Sequence, residues 1–276
     1  MLMRKPLIQR QNSPTRNTMT NLFDTHCHLD FEIFNDDVEQ YLADAGKSNV
    51  TKFMVPAIGE ANWIRLHDIA QQYSNVYFAV GFHPYFLNDY TSSQLDSLRD
   101  FLTQRSEQCV AIGECGLDFA VGVDVQKQED FFIAQLKLAT EFTLPIIVHE
   151  RQSHNRLIQL IKQNKFKCGG VVHGFSGSKQ QALEWIKLGF YIGVGGTITY
   201  PRAKKTRTTI SDLPLESLVL ETDAPDMPFN GQQGKPNHSR YLDVLLNELA
   251  LLRKETKQSV AVQIWKNSHL LFDICE

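Results

Sequence analysis

The sequence predicts an α/β fold, a single (β/α)8 TIM barrel with a metal site at its C-terminal mouth. Three observations carry that prediction. Short apolar runs alternate with longer amphipathic ones, and the unit recurs about every 30 residues through the chain. The apolar runs are near-continuous, as in parallel strands covered by helices. Ionisable side chains stand at the C-terminal ends of several of these runs, the edge where barrel active sites are built. A doubly wound open sheet fits less well. Its first strand would lead into a glycine-rich phosphate loop, and here that place holds His26 and His28.

The elements follow in order. Leu22–His28 is the first strand and Asp36–Ser48 its helix. Lys52–Ile58 is the second strand, Glu60–Tyr73 the second helix. Val76–Phe82 and Ser92–Arg105 form the third unit. Cys109–Gly113 is the fourth strand, followed by the helix Gln126–Phe142, whose apolar face holds Phe131, Ile133, Leu136, Leu138 and Ala139. Leu144–His149 and Gln152–Asn164 are the fifth unit, Gly170–His173 and Lys179–Leu188 the sixth. Phe190–Val194 is the seventh strand, followed by a basic segment to about Ile210. Leu218–Glu221 is the eighth, and helices over Ser239–Leu252 and Thr256–Phe272 close the chain.

This pattern places one barrel domain over residues 21–276. Residues 1–20 carry Arg4, Lys5, Arg10 and Arg16, no acidic residue and no long apolar stretch. They are expected to be a disordered basic extension rather than a secretory signal.

Composition sets further bounds. The chain has 276 residues, 42% hydrophobic and 21% charged, the profile of a globular protein with a large core. A net charge of −3 gives no global basic field, which neither suggests nor excludes nucleic acid. The five cysteines are odd in number and form no CxxC pair, so reduced thiols and a cytoplasmic location are expected. No apolar run approaches the roughly 18 to 20 residues that a membrane span needs. No obligatory protein partner is evident.

The chemistry begins at Asp24-Thr25-His26-Cys27-His28. Residues at i and i+2 of an extended strand face the same side, so His26 and His28 can present two nitrogens to one cation. Cys27 then points into the wall. Strand 3 leads to His83, strand 4 to Glu114, strand 5 to His149, strand 6 to His173 and strand 8 to Asp223. One histidine at a strand end is more often a hydrogen-bonded structural residue. Five of them with two carboxylates, at equivalent topological places, would cost several kcal/mol each to bury without a cation. A metal site follows if the barrel is right. His67, His154, His238 and His269 lie in helix or loop context and keep a structural reading.

Seven segments together resemble the TatD family of metal-dependent deoxyribonucleases, in the wider amidohydrolase-like superfamily. They are FDTHCHLD (23–30), GFHP (81–84), IGECGLDF (112–119), PIIVHERQ (145–152), VVHGFSGS (171–178), IGVGGTIT (192–199) and LETDAPDMP (220–228). The run GGTITYPRAKKTR, with ETDAPDMP and NGQQGKPN, resembles the YjjV-type branch. The resemblance covers residue 22 to the C-terminus. It implies two divalent cations, zinc, magnesium or manganese. One would be held by His26, His28, Glu114 and Asp223, the other by Glu114, His149 and His173, with Glu114 bridging. It also implies that His83 contacts substrate rather than metal. Gly174 stands where many members have cysteine. Phe119-Ala120-Val121-Gly122 stands where an aromatic-rich run could stack on a base. These departures bear on substrate, not on metal.

The expected activity is that of a deoxyribonuclease of the 3′–5′ exonuclease type, acting on DNA or a small phosphoester. Two cations would neutralise the phosphate oxygens and activate a water. Glu114 and Asp223 are the expected catalytic residues, with Asp223 orienting that water and accepting its proton. His83 and Arg151 would contact phosphate oxygens. Arg202, Lys204, Lys205 and Arg207 follow strand 7, where barrel phosphate sites often lie, and as a group could track a nucleic-acid backbone. One alternative is an amidohydrolase-type hydrolase of a small ester, lactone or amide. A bridging carbamylated lysine is frequent there, and Glu114 in its place favours the nuclease-like branch. The other is a non-catalytic metal- or nucleic-acid-binding protein, against which the intact ligand set argues.

Overall fold

A computed structural model describes residues 20–34 and 37–275. Residues 1–19, which hold most of the expected extension, lie outside the described residues. Eight strands form one sheet in the order β1-β2-β3-β4-β5-β6-β7-β8, each parallel to the next. They are β1 (Leu22–Asp24), β2 (Val50–Pro56), β3 (Val76–Val80), β4 (Cys109–Asp118), β5 (Ile146–Arg151), β6 (Gly170–Val172), β7 (Phe190–Val194) and β8 (Leu218–Leu220). The helices between them are α1 (Val38–Gly46), α2 (Trp63–Gln72), α3 (Gln94–Thr103), α4 (Val125–Phe142), α5 (His154–Gln163), α6 (Lys179–Lys187) and α7 (Lys204–Asp212). Beyond β8 come α8 (Leu242–Arg253) and α9 (Lys257–Phe272). This is a (β/α)8 TIM barrel.

Side-chain alternation divides the barrel into two apolar layers. Phe23, Met54, Ala79, Ala111, Ile147, Val171 and Val219 fill the interior, joined by Leu271 and Phe272 from the end of α9. Their neighbours Leu22, Phe53, Phe78, Ile112, Val148, Val172 and Leu220 face the helices. Continuing inward positions past the strand ends aims polar side chains into the mouth. His83 lies four residues beyond Ala79, His149 two beyond Ile147 and His173 two beyond Val171.

β4 needs a correction to this pattern. Simple alternation from the inward Ala111 would turn Glu114 outward. The register of β4 against β5 shifts between Ile112 and Cys115, and Gly113 there adopts φ +156°. A side chain at Gly113 would meet Ile147 Cβ at 2.8 Å. The irregularity adds one residue on this strand, and Glu114 turns inward while Cys115 joins the outer core.

The sheet closes beyond the ends of β1 and β8. Thr25 N–H donates to the Leu220 carbonyl at 3.1 Å, Asp223 N–H to His26 at 2.8 Å, and His28 N–H to Ala224 at 2.7 Å. Regular strand therefore stops at Asp24 rather than running to His28, because the chain turns to bond across the seam. β4 runs to Asp118, past the expected end at Gly113, because β5 pairs with it as far as Arg151. α1 starts at Val38, where Asp37 caps it by accepting from Gln40 N–H at 2.9 Å.

Candidate metal centre

The barrel brings Glu114 to the middle of the mouth, 2% exposed. Its two oxygens face two different groups. Oε2 lies 3.2 Å from His26 Nε2 and 4.0 Å from His28 Nε2. Oε1 lies 2.7 Å from His173 Nε2 and 2.9 Å from His149 Nδ1. Asp223 belongs to the first group, with Oδ1 at 3.4 Å from His26 Nε2 and 3.6 Å from His28 Nε2. Asp223 holds this place with φ 56°, while its N–H bonds across the seam to His26. Among the described residues, three sets of ligand atoms lie close enough to hold a cation: His26, Glu114 and His173; His26, His28 and Asp223; His83, Glu114 and His149.

The electrostatics are those of a site built for positive charge. Burial pushes the His26 pKa down to about 3, and His173 beside it acts in the same direction. His26 is thus a neutral imidazole, and its Nε2 is buried without a hydrogen-bond partner. A lone pair in that state suits a transition metal. Burial also resists charge on His173, but the Glu114 carboxylate outweighs it and raises the pKa to about 10. Glu114 itself sits well below the ordinary range: burial opposes this, and the charge of His173 with the hydrogen bond from His149 prevails. Burial lifts Asp223 to about 6. The carboxylates here draw a proton onto His173, and a cation between the same groups would take its place. The donor set fits one.

Hydrogen bonds sort the histidines by role. Asp118 Oδ2 lies 3.1 Å from His149 Nε2. The carboxylate accepts Nε2–H, and Nδ1 is the nitrogen left to face Glu114. His83 has the opposite arrangement. Tyr85 N–H donates to its Nδ1 at 3.1 Å. A backbone N–H can only donate, so Nδ1 carries no proton and the neutral ring holds it on Nε2. That Nε2 points at Glu114 Oε1, 3.2 Å away. Burial keeps His83 neutral by lowering its pKa. Proximity alone puts His83 among the ligands, but its tautomer makes it a donor.

The remaining expected residues are more scattered. Arg151 is largely exposed at the mouth, 3.9 Å from Asp118. Arg202, Lys204 and Lys205 are exposed. Arg202 lies over the Tyr200 ring at 5.2 Å. Arg207 is turned inward, donating to the Ile198 carbonyl and pairing with Glu248 at 2.6 Å. It serves the β7–α7 connection rather than facing solvent with the other three. Cys27 is buried in the outer core, with Sγ 3.7 Å from the Met54 carbonyl.

Sequence reasoning missed three acidic residues at this end of the barrel. Asp118 sits four residues after Glu114 on the same inward face, a spacing that could have flagged it. Glu221 is fully buried two residues before Asp223, accepts from Gly174 N–H, and is raised to about 8 by burial. Asp24 is also fully buried. It accepts from Thr222 N–H at 2.9 Å, Thr222 Oγ1 at 2.6 Å and Ser239 Oγ at 2.6 Å.

Known proteins resemble this chain along most of its length. The family model described as TatD related DNase matches residues 23–273. An uncharacterized metal-dependent hydrolase, YjjV of Escherichia coli K12, is 44% identical over 91% of this chain and 97% of its own length. An uncharacterized metal-dependent hydrolase of Haemophilus influenzae is 37% identical over 91% of this chain and 99% of its own length. The crystal structure of the E. coli YjjV protein superposes with a TM-score of 0.88, covering 92% of this chain and 98% of that one. A TatD family hydrolase from Entamoeba histolytica has the same fold, with a TM-score of 0.82 at 20% identity, covering 92% and 98%.

Proposed function

The chain belongs to the TatD-related DNase family, and from that membership we propose that this metal-dependent hydrolase cleaves phosphodiester bonds in DNA, as a 3′–5′ exonuclease. The observation that carries the reading is the division of Glu114. Its two oxygens face two separate groups of nitrogen and oxygen donors. One bridging carboxylate between two ligand sets is the arrangement that holds a cation pair. His26, His28, Asp223 and Glu114 would hold one cation, and His149, His173 and Glu114 the other.

When bound, such a pair neutralises phosphate oxygens and lowers the pKa of water. The imidazoles favour zinc over magnesium, and the two carboxylates would still admit magnesium or manganese. The protein's own groups do the rest. Glu114 keeps its charge and fixes the spacing of the two sets. Asp223, at the edge of the first set, orients the attacking water and accepts its proton. His83 offers its Nε2–H to a phosphate oxygen, since its ring cannot offer a lone pair there. Arg151 stands exposed where a second oxygen could reach it. Arg202, Lys204 and Lys205 supply positive charge along the strand that leaves the mouth.

The test is direct. The full chain, stripped of metal and reloaded with a defined divalent cation, is given end-labelled single-stranded and duplex DNA. Stepwise shortening from the 3′ end is expected, and Glu114→Gln and Asp223→Asn are expected to abolish it. Metal-loaded protein that turns over cyclic amides or lactones but leaves DNA and other phosphodiesters intact would overturn the reading.

A further inference from the structure

Tyr85 is the only aromatic among the large apolar side chains that are exposed in the described residues, at 58% of its surface. It stands on the short 3-10 turn Pro84–Asp89 that follows β3, one turn from His83. Its N–H is the group that sets the His83 tautomer. No hydrogen bond holds its hydroxyl among the described residues. A continuous file of rings joins it to the metal centre. His149 and His83 have centroids 4.3 Å apart, His83 and Phe86 5.7 Å, and Phe86 and Tyr85 4.9 Å with an interplanar angle of 70°. The first three rings are half-buried and Tyr85 is open to solvent. Phe86 is half-buried and braces Tyr85 edge-on, which leaves a face of the Tyr85 ring for another partner.

We propose that Tyr85 is a stacking platform for one unpaired nucleobase of a single-stranded DNA end whose phosphate lies at the metal centre. This deepens the nuclease reading and rests on it. An aromatic face beside a site for phosphate is the pairing by which proteins hold single strands without reading sequence. The segment after Asp118 does not compete for this role. Phe119 packs against the hydrophobic core, and Ala120 and Gly122 have no ring. Positive charge is present on another rim of the mouth, at Arg202, Lys204 and Lys205, where a backbone could continue. A phosphoester without a base would use the metal centre and leave Tyr85 idle.

The experiment uses the metal-loaded full chain and a short single strand with nuclease-resistant phosphorothioate linkages, carrying 2-aminopurine as its 3′-terminal base. Binding is read by fluorescence anisotropy and stacking by quenching of the 2-aminopurine. Tyr85→Ala is expected to weaken binding about tenfold and to relieve the quench. Tyr85→Phe is expected to retain both, because the ring and not the hydroxyl makes the contact. Both variants should unfold at the wild-type midpoint, since the side chain is exposed. Equal affinity and equal quench in Tyr85→Ala and wild type would overturn the platform, as would a wild type that neither binds nor quenches. The nuclease reading is separated by an unmodified strand. If the wild type binds and quenches but never cuts, that reading falls and the platform stands. If it cuts while Tyr85→Ala behaves as wild type, the platform falls alone.

Discussion

Asp118 Oδ2 lies 3.1 Å from Nε2 of His149, and this contact decides which nitrogen of His149 faces Glu114. Burial disfavours charge on Asp118, but bonds from His149 and from Ala120 N–H hold its carboxyl below the ordinary range. Removing the carboxylate frees the ring to turn and to change tautomer. Asp118→Ala is expected to weaken the affinity for the cation held with His149 by about 10- to 100-fold. Competition against a chromophoric chelator measures this. Unchanged affinity would show that the His149 ring is oriented by something else.

Asp24 ties the barrel seam from behind. Its carboxylate holds Thr222 and Ser239, and Ser239 in turn shares hydrogen bonds with the Tyr41 hydroxyl at 2.7 and 3.0 Å. Asp24→Ala would leave several buried donors without an acceptor. A loss of about 3 kcal/mol in stability is expected. Asp24→Asn should lose less, because its amide keeps one acceptor and both hydroxyls can reverse. Urea unfolding with the metal chelated gives the comparison. The account is wrong if the two variants lose the same amount.

Gly116 pairs with His149 across β4 and β5 and adopts φ +145°. A Cβ at Gly116 would collide with the His149 carbonyl oxygen. Gly116→Ala must therefore separate the two strands beside the metal centre or strain the backbone. A cost above about 3 kcal/mol is expected, or failure to fold. A near-wild-type denaturation midpoint would contradict the close approach.

His238 makes stability depend on pH. Its ring stacks on Tyr41 at 4.0 Å, and its Nδ1 accepts from Arg240 N–H. Burial and the Arg240 charge lower its pKa from 6.5 to about 4, against a weaker pull from Asp44. Between those two values the unfolded chain binds more protons than the folded one. Stability contributed by the neutral ring is complete above pH 6.5 and is lost as pH falls through that window. His238→Phe keeps an aromatic face on Tyr41 and removes the titration. Its stability should fall less between pH 6.5 and 4 than that of the wild type. Parallel pH profiles would exclude His238 as the source.

Much of this protein could be read from the order of residues alone. The alternation of apolar runs and helices specifies the barrel, because periodicity is local and needs no knowledge of contacts. The strand ends specify where His26, His28, Glu114, His149, His173 and Asp223 would meet, because the topology carries every C-terminal strand end to one mouth. Only the tertiary structure decided their roles. It set Glu114 inward through an irregularity at Gly113 that simple alternation would have turned outward. It divided the two Glu114 oxygens between two ligand groups. It put the His83 proton on Nε2 through Tyr85 N–H and turned His149 Nδ1 toward Glu114 through Asp118. It withdrew Arg207 into an ion pair with Glu248 while leaving Tyr85 exposed. The physical reason is common to all of these. Residue type and period are properties of a segment, whereas a tautomer, a facing oxygen or an exposed ring depends on partners that the chain supplies from elsewhere in its length.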